Sequence, residues 1–144
     1  MESLVTLPLV LLVPAKSSWQ SADQVFQEVR RGDVTLISLP HREAITQIFF
    51  QELQNRGLDW APGIEVNSLQ LIESYVLMGF GIGLSVRVPR QPFPASLRAL
   101  PLKGFPSLEV GAFWRNPLSP PAKHFVDALH AYVKKQGFPT STLY

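Results

Sequence analysis

The 144-residue sequence contains no cysteine. Disulfides, cysteine-ligated metal sites and cysteine nucleophiles are therefore excluded, and the composition fits a protein of the reducing cytoplasm. Histidine is also scarce, and His124 and His130 lie six residues apart, which places them on different faces of a helix. A helical metal-binding pair needs a spacing of four residues. We therefore expect no metal site and no cofactor.

The sequence also lacks signatures of catalysis. No serine lies in a G-x-S-x-G elbow, and carboxylate pairs such as Glu43 with Glu52 have no distinctive spacing. The glycine-rich residues 79–83 (GFGIG) follow a predicted helix and precede a predicted strand, the reverse of the order in a dinucleotide-binding fingerprint. They predict a tight turn between helix and strand. We expect no catalytic residues and no enzyme activity.

Strong charge and long hydrophobic runs are missing as well. The net charge is only +2, and the dibasic pairs at 30–31 and 134–135 lie near the ends of predicted helices, where cations complement the helix dipole. Direct nucleic-acid binding is therefore not expected. The apolar residues 4–15 have no basic start, are interrupted by Pro8 and are too short to span a membrane. They predict a buried strand over residues 9–13 and no membrane partner.

Strands and helices alternate along the chain. The predicted strands cover residues 9–13, 34–39, 64–66, 82–88, 98–102 and 108–115. The predicted helices follow a cap at Ser21, cover residues 43–56, follow a cap at Asn67 or Ser68, and follow a cap at Ser119. This alternation predicts an α/β fold with a mostly parallel, mixed sheet flanked by helices.

Polar residues follow two of these strands. His41 comes after the strand over residues 34–39, at a position where open α/β sheets bind ligands; a surface position at a helix start is the alternative. Asn67 and Ser68 precede the third helix, whose first N–H groups and positive dipole end can hold an anion. Two interpretations remain open for this pair, capping alone or capping combined with ligand contact.

Residues 64–88 (IEVNSLQLIESYVLMGFGIGLSVRV) closely resemble a segment of LysR-type transcriptional regulators. In that family a strand and a polar cap precede a helix, and a V-x-x-G-x-G-I-x turn leads into a strand. The segments PLVLLVP, LISLPHREAITQIFFQELQNRG and ALPLKGFPSLEVGAFWRN match the family in the same order, so the resemblance covers residues 7–136. One departure is Val86-Arg87-Val88-Pro89, where the family usually has a Leu-Pro pair.

The resemblance implies an effector-binding domain with the fold of type II periplasmic binding proteins, in which two α/β subdomains hold a small molecule between them. Residues 1–106 would form the second subdomain with its crossover strand, and residues 107–137 would return toward the first. Residues 138–144 would form a flexible tail. The winged helix-turn-helix would be absent, so DNA would be contacted only through a domain outside this chain.

The implied function is effector sensing that controls transcription through a ligand-dependent conformational change. The alternatives are a solute-binding protein of a transport system or a small α/β enzyme. Arg42 and the start of the third helix indicate a small anion or carboxylate as ligand. Self-association to a dimer or higher species is expected through apolar residues 9–13 and 125–133. The implied ligand-binding residues are Leu39, Pro40, His41, Arg42, Asn67 and Ser68.

Overall fold

The computed structural model describes residues 2–61, 63–112 and 119–136. The strands are β1 (Glu2–Leu7), β2 (Leu9–Pro14), β3 (Leu36–Ser38), β4 (Ile64–Glu65), β5 (Ile82–Val86), β6 (Leu97–Pro101) and β7 (Leu108–Ala112). The helices are α1 (Ala22–Arg30), α2 (Ala44–Asn55), α3 (Leu69–Leu77) and α4 (Pro120–Lys135). The expected tail, residues 138–144, and the end of the expected strand over residues 108–115 lie outside the described residues.

None of the helices in these described ranges has the length and apolar character needed to cross a membrane.

The chain divides into two compact units. The large unit comprises residues 8–87 and 93–106, and the described part of the small unit comprises residues 2–7, 88–92, 107–112 and 119–136. In the small unit β1 pairs antiparallel with β7 and α4 packs on β1. Residues 2–7 and 88–92, which lie within the expected segment 1–106, belong to the small unit; backbone pairing with β7 joins β1 to it.

The large unit contains a five-stranded mixed sheet in the order β4-β3-β5-β2-β6. Strand β3 is parallel to β4 and β5, whereas β2 is antiparallel to β5 and β6. The α/β fold with a mostly parallel, mixed sheet is confirmed, since β3, β4, β5 and β6 run in one direction and β2 is the one strand of this five-stranded sheet that runs opposite. Helical crossovers join β3, β4 and β5 in one direction, while β2 lies between β5 and β6 and runs opposite to both.

The prediction of a buried strand over residues 9–13 is confirmed. All five of these residues are buried: β5 and β6 pair with the two edges of β2, and Val10 and Leu12 pack with the α3 residues Ile72 and Val76. The expectation that this strand offers an apolar surface for self-association is therefore wrong. The apolar residues 125–133 on α4 are only partly buried: Val126 is buried, whereas Phe125 is 63% exposed.

Helix α3 packs on one face of the large sheet. Its Ile72 and Val76 form a core cluster with Val10, Leu12, Ile37 and Leu97. The turn after α3 confirms the interpretation of the glycine-rich residues 79–83. Gly79 has a φ of +82°, and a Cβ on Gly83 would lie 2.5 Å from Ile72 Cγ2, so α3 could not approach β5 so closely if Gly83 had a side chain.

Candidate functional site

The two predicted ligand-binding segments meet at one edge of the large sheet. Strands β3 and β4 are parallel neighbours, with Ile37 opposite Ile64 and Ser38 opposite Glu65. The ladder continues past β3, where the Val66 N–H donates to the Ser38 carbonyl oxygen at 2.9 Å. Because both strands run in the same direction, the residues that follow them emerge side by side. Residues 39–42 and 67–68 are therefore brought to the same edge.

The backbone of residues 39–42 is held by the first turns of α2. The hydroxyl of Thr46 is buried and donates to the Leu39 carbonyl oxygen at 3.0 Å, and the Glu43 N–H donates to the Pro40 carbonyl oxygen at 2.9 Å. Leu39 and Pro40 are half-buried as a result. Sequence reasoning missed Thr46, although a hydroxyl between Ile45 and Phe49 on the apolar face of a helix is a signal for such a bond.

The side chains of His41 and Arg42 are exposed at this edge. The Arg42 side chain is 82% exposed, and its Nε lies 3.9 Å from an exposed Glu43 carboxylate oxygen. An ion pair of this length between exposed groups contributes little. The Arg42 guanidinium is therefore open to an anion arriving from solvent. The ring of His41 lies against Phe50 of α2, with 5.7 Å between the ring centroids.

Ser68, rather than Asn67, is the N-cap of α3. Its backbone is extended, with φ −151° and ψ 152°, and its Oγ accepts a hydrogen bond from the Leu71 N–H at 3.1 Å. Asn67 is exposed and precedes the cap. Within the described part of the chain, the N–H groups of Leu69 and Gln70 have no protein acceptor. These two donors and the positive end of the α3 dipole form a favourable environment for an anion.

The groups at this edge of the sheet can bind a ligand. It offers one guanidinium, one imidazole, a serine hydroxyl and free backbone N–H groups on a fixed backbone. Over residues 2–61, 63–112 and 119–136, no group of three or more His, Asp or Glu side chains is arranged to hold a metal ion.

A family model described as the LysR substrate binding domain matches residues 1–134. The chain belongs to this family. The sequence resemblance over residues 7–136 and the expected type II periplasmic-binding-protein fold are thereby confirmed. No curated protein matches the sequence significantly.

Solved LysR-family structures share this fold. HinK, a LysR family transcriptional regulator from Pseudomonas aeruginosa, is 20% identical with a TM-score of 0.66, over 90% of this chain and 45% of HinK. The effector binding domain of QuiR in complex with shikimate is 17% identical with a TM-score of 0.68, over 92% of this chain and 64% of that domain. Full-length BenM is 16% identical with a TM-score of 0.69, over 96% of this chain and 48% of BenM. This LysR substrate-binding chain thus spans about half the length of the full-length regulators it resembles.

Proposed function

We propose that this LysR substrate-binding domain senses a small carboxylate or other small anion at the edge formed by residues 39–42 and 67–68. The observation that carries the proposal is the parallel pairing of β3 with β4. That pairing brings the Arg42 loop and the Ser68-capped start of α3 to one place. Two sources of positive potential, one from a side chain and one from a helix, then act on the same ligand.

Arg42 supplies charge and geometry. A guanidinium binds a carboxylate through two parallel N–H donors, which adds geometric specificity to the attraction between the charges. The start of α3 adds about 0.3–1 kcal/mol for a negative charge near its first turn. A neutral ligand of the same shape loses both contributions, so the site discriminates by charge.

The backbone on both sides of the site is fixed before a ligand binds. Thr46 and Glu43 hold residues 39–42, and the Oγ of Ser68 holds the first turn of α3. Binding to an ordered backbone avoids much of the entropy loss that a mobile loop would suffer. The solved complex of the QuiR effector binding domain with shikimate, a carboxylate, supports this ligand class for the fold.

The role proposed for the ligand is regulatory. An effector that binds one conformation of the domain more tightly increases the population of that conformation. The protein would then control transcription in the cytoplasm through a DNA-binding domain outside residues 1–144 and as a dimer or higher oligomer, without catalysis. Family membership favours this regulatory role over the transport and enzyme alternatives.

Calorimetric titration with matched acids and esters tests the proposal. Shikimate and benzoate carry a carboxylate, whereas their methyl esters keep the ring and lose the charge. We expect binding of at least one acid, at least tenfold weaker binding of its ester, and affinity that falls as salt rises. Equal affinity for acid and ester would contradict an anion site.

A further inference from the structure

A cavity of about 310 Å³ lies in the large unit, on the face of the sheet opposite α3. Ile37 and Ile64 pack with the α3 cluster, and neighbouring residues on a strand point to opposite faces. Ser38 and Glu65 therefore face away from α3 and line this cavity. The cavity lining also includes His41, Phe50, Asp59 and Trp60.

Two aromatic rings form a fixed part of the cavity wall. Trp60 is buried, and its Nε1–H donates to the Val34 carbonyl oxygen at 2.9 Å. Phe50 is half-buried, and its ring centroid lies 5.5 Å from that of Phe49. Both rings are held by protein contacts, so the wall exists before any ligand arrives. Aromatic faces attract organic cations because of the ring quadrupole.

Two carboxylates and one basic side chain, that of His41, line the cavity. Asp59 and Glu65 line it together, and among the described lining residues there is no lysine or arginine. Neither carboxylate has an ion-pair partner within the described part of the chain. A cationic ligand would therefore meet two carboxylates that no lysine or arginine of the described lining neutralises.

A buried hydroxyl points to a polar ligand. Ser38 is only 6% exposed and lines the cavity, and no side-chain hydrogen bond holds its hydroxyl within the described part of the chain. The Ser38 oxygen is not one of the fully buried side-chain atoms that lack a partner, so it is accessible from the cavity. A ligand N–H donor would satisfy the Ser38 oxygen.

We propose that this cavity binds a small organic cation, a primary amine with an apolar or aromatic body. The ammonium group lies between the carboxylates of Asp59 and Glu65 and donates to the Ser38 hydroxyl, while the apolar body packs on Phe50 and Trp60. The volume lies at the lower end of the range of about 300–1,000 Å³ typical of small-molecule sites. The preferred charge is opposite to that of the anion site at Arg42, so the two sites take different ligand classes.

Benzylammonium is a suitable probe, because it joins a ring to a primary ammonium, and benzyl alcohol is its neutral counterpart. We expect calorimetry or NMR titration of the protein to detect benzylammonium, with at least tenfold weaker binding of benzyl alcohol. Because one charge-assisted contact is lost in each case, Asp59→Asn and Glu65→Gln should each weaken benzylammonium binding by about tenfold. The two residues are exposed, so both variants should keep the wild-type unfolding midpoint.

The matched control is Glu73→Gln, which removes a carboxylate on α3 outside the cavity lining. It should leave benzylammonium binding unchanged. Equal binding of the amine and the alcohol would overturn the proposal. So would unchanged affinity in both cavity variants, or an equal loss in Glu73→Gln, since the attraction would then come from the overall charge of the protein.

Discussion

The hydroxyl of Thr46 donates a 3.0 Å hydrogen bond to the carbonyl oxygen of Leu39. Thr46 is only 1% exposed, so this bond forms away from competing water. It connects the first turn of α2 to the first residue after β3, and it therefore helps to determine where residues 39–42 leave the sheet. The geometry of the candidate anion site depends on a residue that does not itself belong to the site.

Replacing Thr46 with valine keeps the shape of the side chain and removes the donor. We expect Thr46→Val to lower the free energy of unfolding by about 1–2 kcal/mol, because the Leu39 carbonyl loses its partner in a buried setting. Urea denaturation measures the change. The control is Thr35→Val, at an exposed threonine, which should stay within about 0.5 kcal/mol of wild type. Equal stability of Thr46→Val and Thr35→Val would contradict this role of the bond.

Two substitutions of Ser68 distinguish its role as a helix cap from a role in ligand binding. Ser68→Ala removes the bond to the Leu71 N–H and should lower the free energy of unfolding by about 1 kcal/mol. Ser68→Asp keeps a capping oxygen, so stability should be retained, but its negative charge should repel an anionic ligand. Carboxylate binding should therefore be weakened more by Ser68→Asp than by Ser68→Ala, as calorimetry would measure. Undiminished binding in Ser68→Asp would contradict an anion at this helix start.

Asn67→Ala is the control for these two variants. Asn67 is exposed and lies before the cap, so its loss should change the unfolding free energy by less than about 0.5 kcal/mol. A large destabilisation in Asn67→Ala would mean that the first turn of α3 is held differently from the geometry described above.

Helices and turns were predicted well where the residues that start or end them are adjacent in the sequence. The sequence located the helix caps at Ser21 and Ser119 and the glycine-rich turn after α3. Each of these features depends only on residues that are close together in the chain. Strand β1 was not predicted, because it is stabilised by pairing with β7, which lies at the other end of the chain. The mixed sheet was predicted, but not that β2 is its antiparallel strand, since no local pattern specifies which strands become neighbours.

The candidate site was predictable in position but not in detail. Strand ends and helix starts can be located from residue type, and they indicated residues 39–42 and the pair at 67–68. The choice of Ser68 over Asn67 as the cap depends on backbone angles, and the role of Thr46 depends on how α2 packs. The cavity beside Asp59 and Glu65 depends on the loop between α2 and β4, whose course no sequence pattern specifies.

Arg42 is the residue whose loss should weaken anion binding without changing the fold. We expect Arg42→Gln to weaken binding of a carboxylate such as shikimate by about tenfold or more, because one charge-assisted contact is lost. Arg42→Lys should recover part of the affinity, since the charge remains but the planar pair of donors does not. Arg30→Gln, at an exposed arginine in the last turn of α1, is the control and should bind like wild type. A match between Arg42→Gln and this control in calorimetry would exclude Arg42 from the site.

Gly83 should tolerate no side chain, because α3 lies directly over it. A Cβ there would lie 2.5 Å from Ile72 Cγ2 and 2.9 Å from Val76 Cγ2, and both side chains are fully buried. Gly83→Ala should therefore lower the free energy of unfolding by about 1–3 kcal/mol, as overpacking does in other cores. Ile72→Ala removes the nearest methyl group, so adding Gly83→Ala to that variant should cost less than adding it to wild type. A double-mutant cycle measured by urea denaturation gives this coupling. Additive effects would mean that contact with α3 is not what requires glycine at position 83.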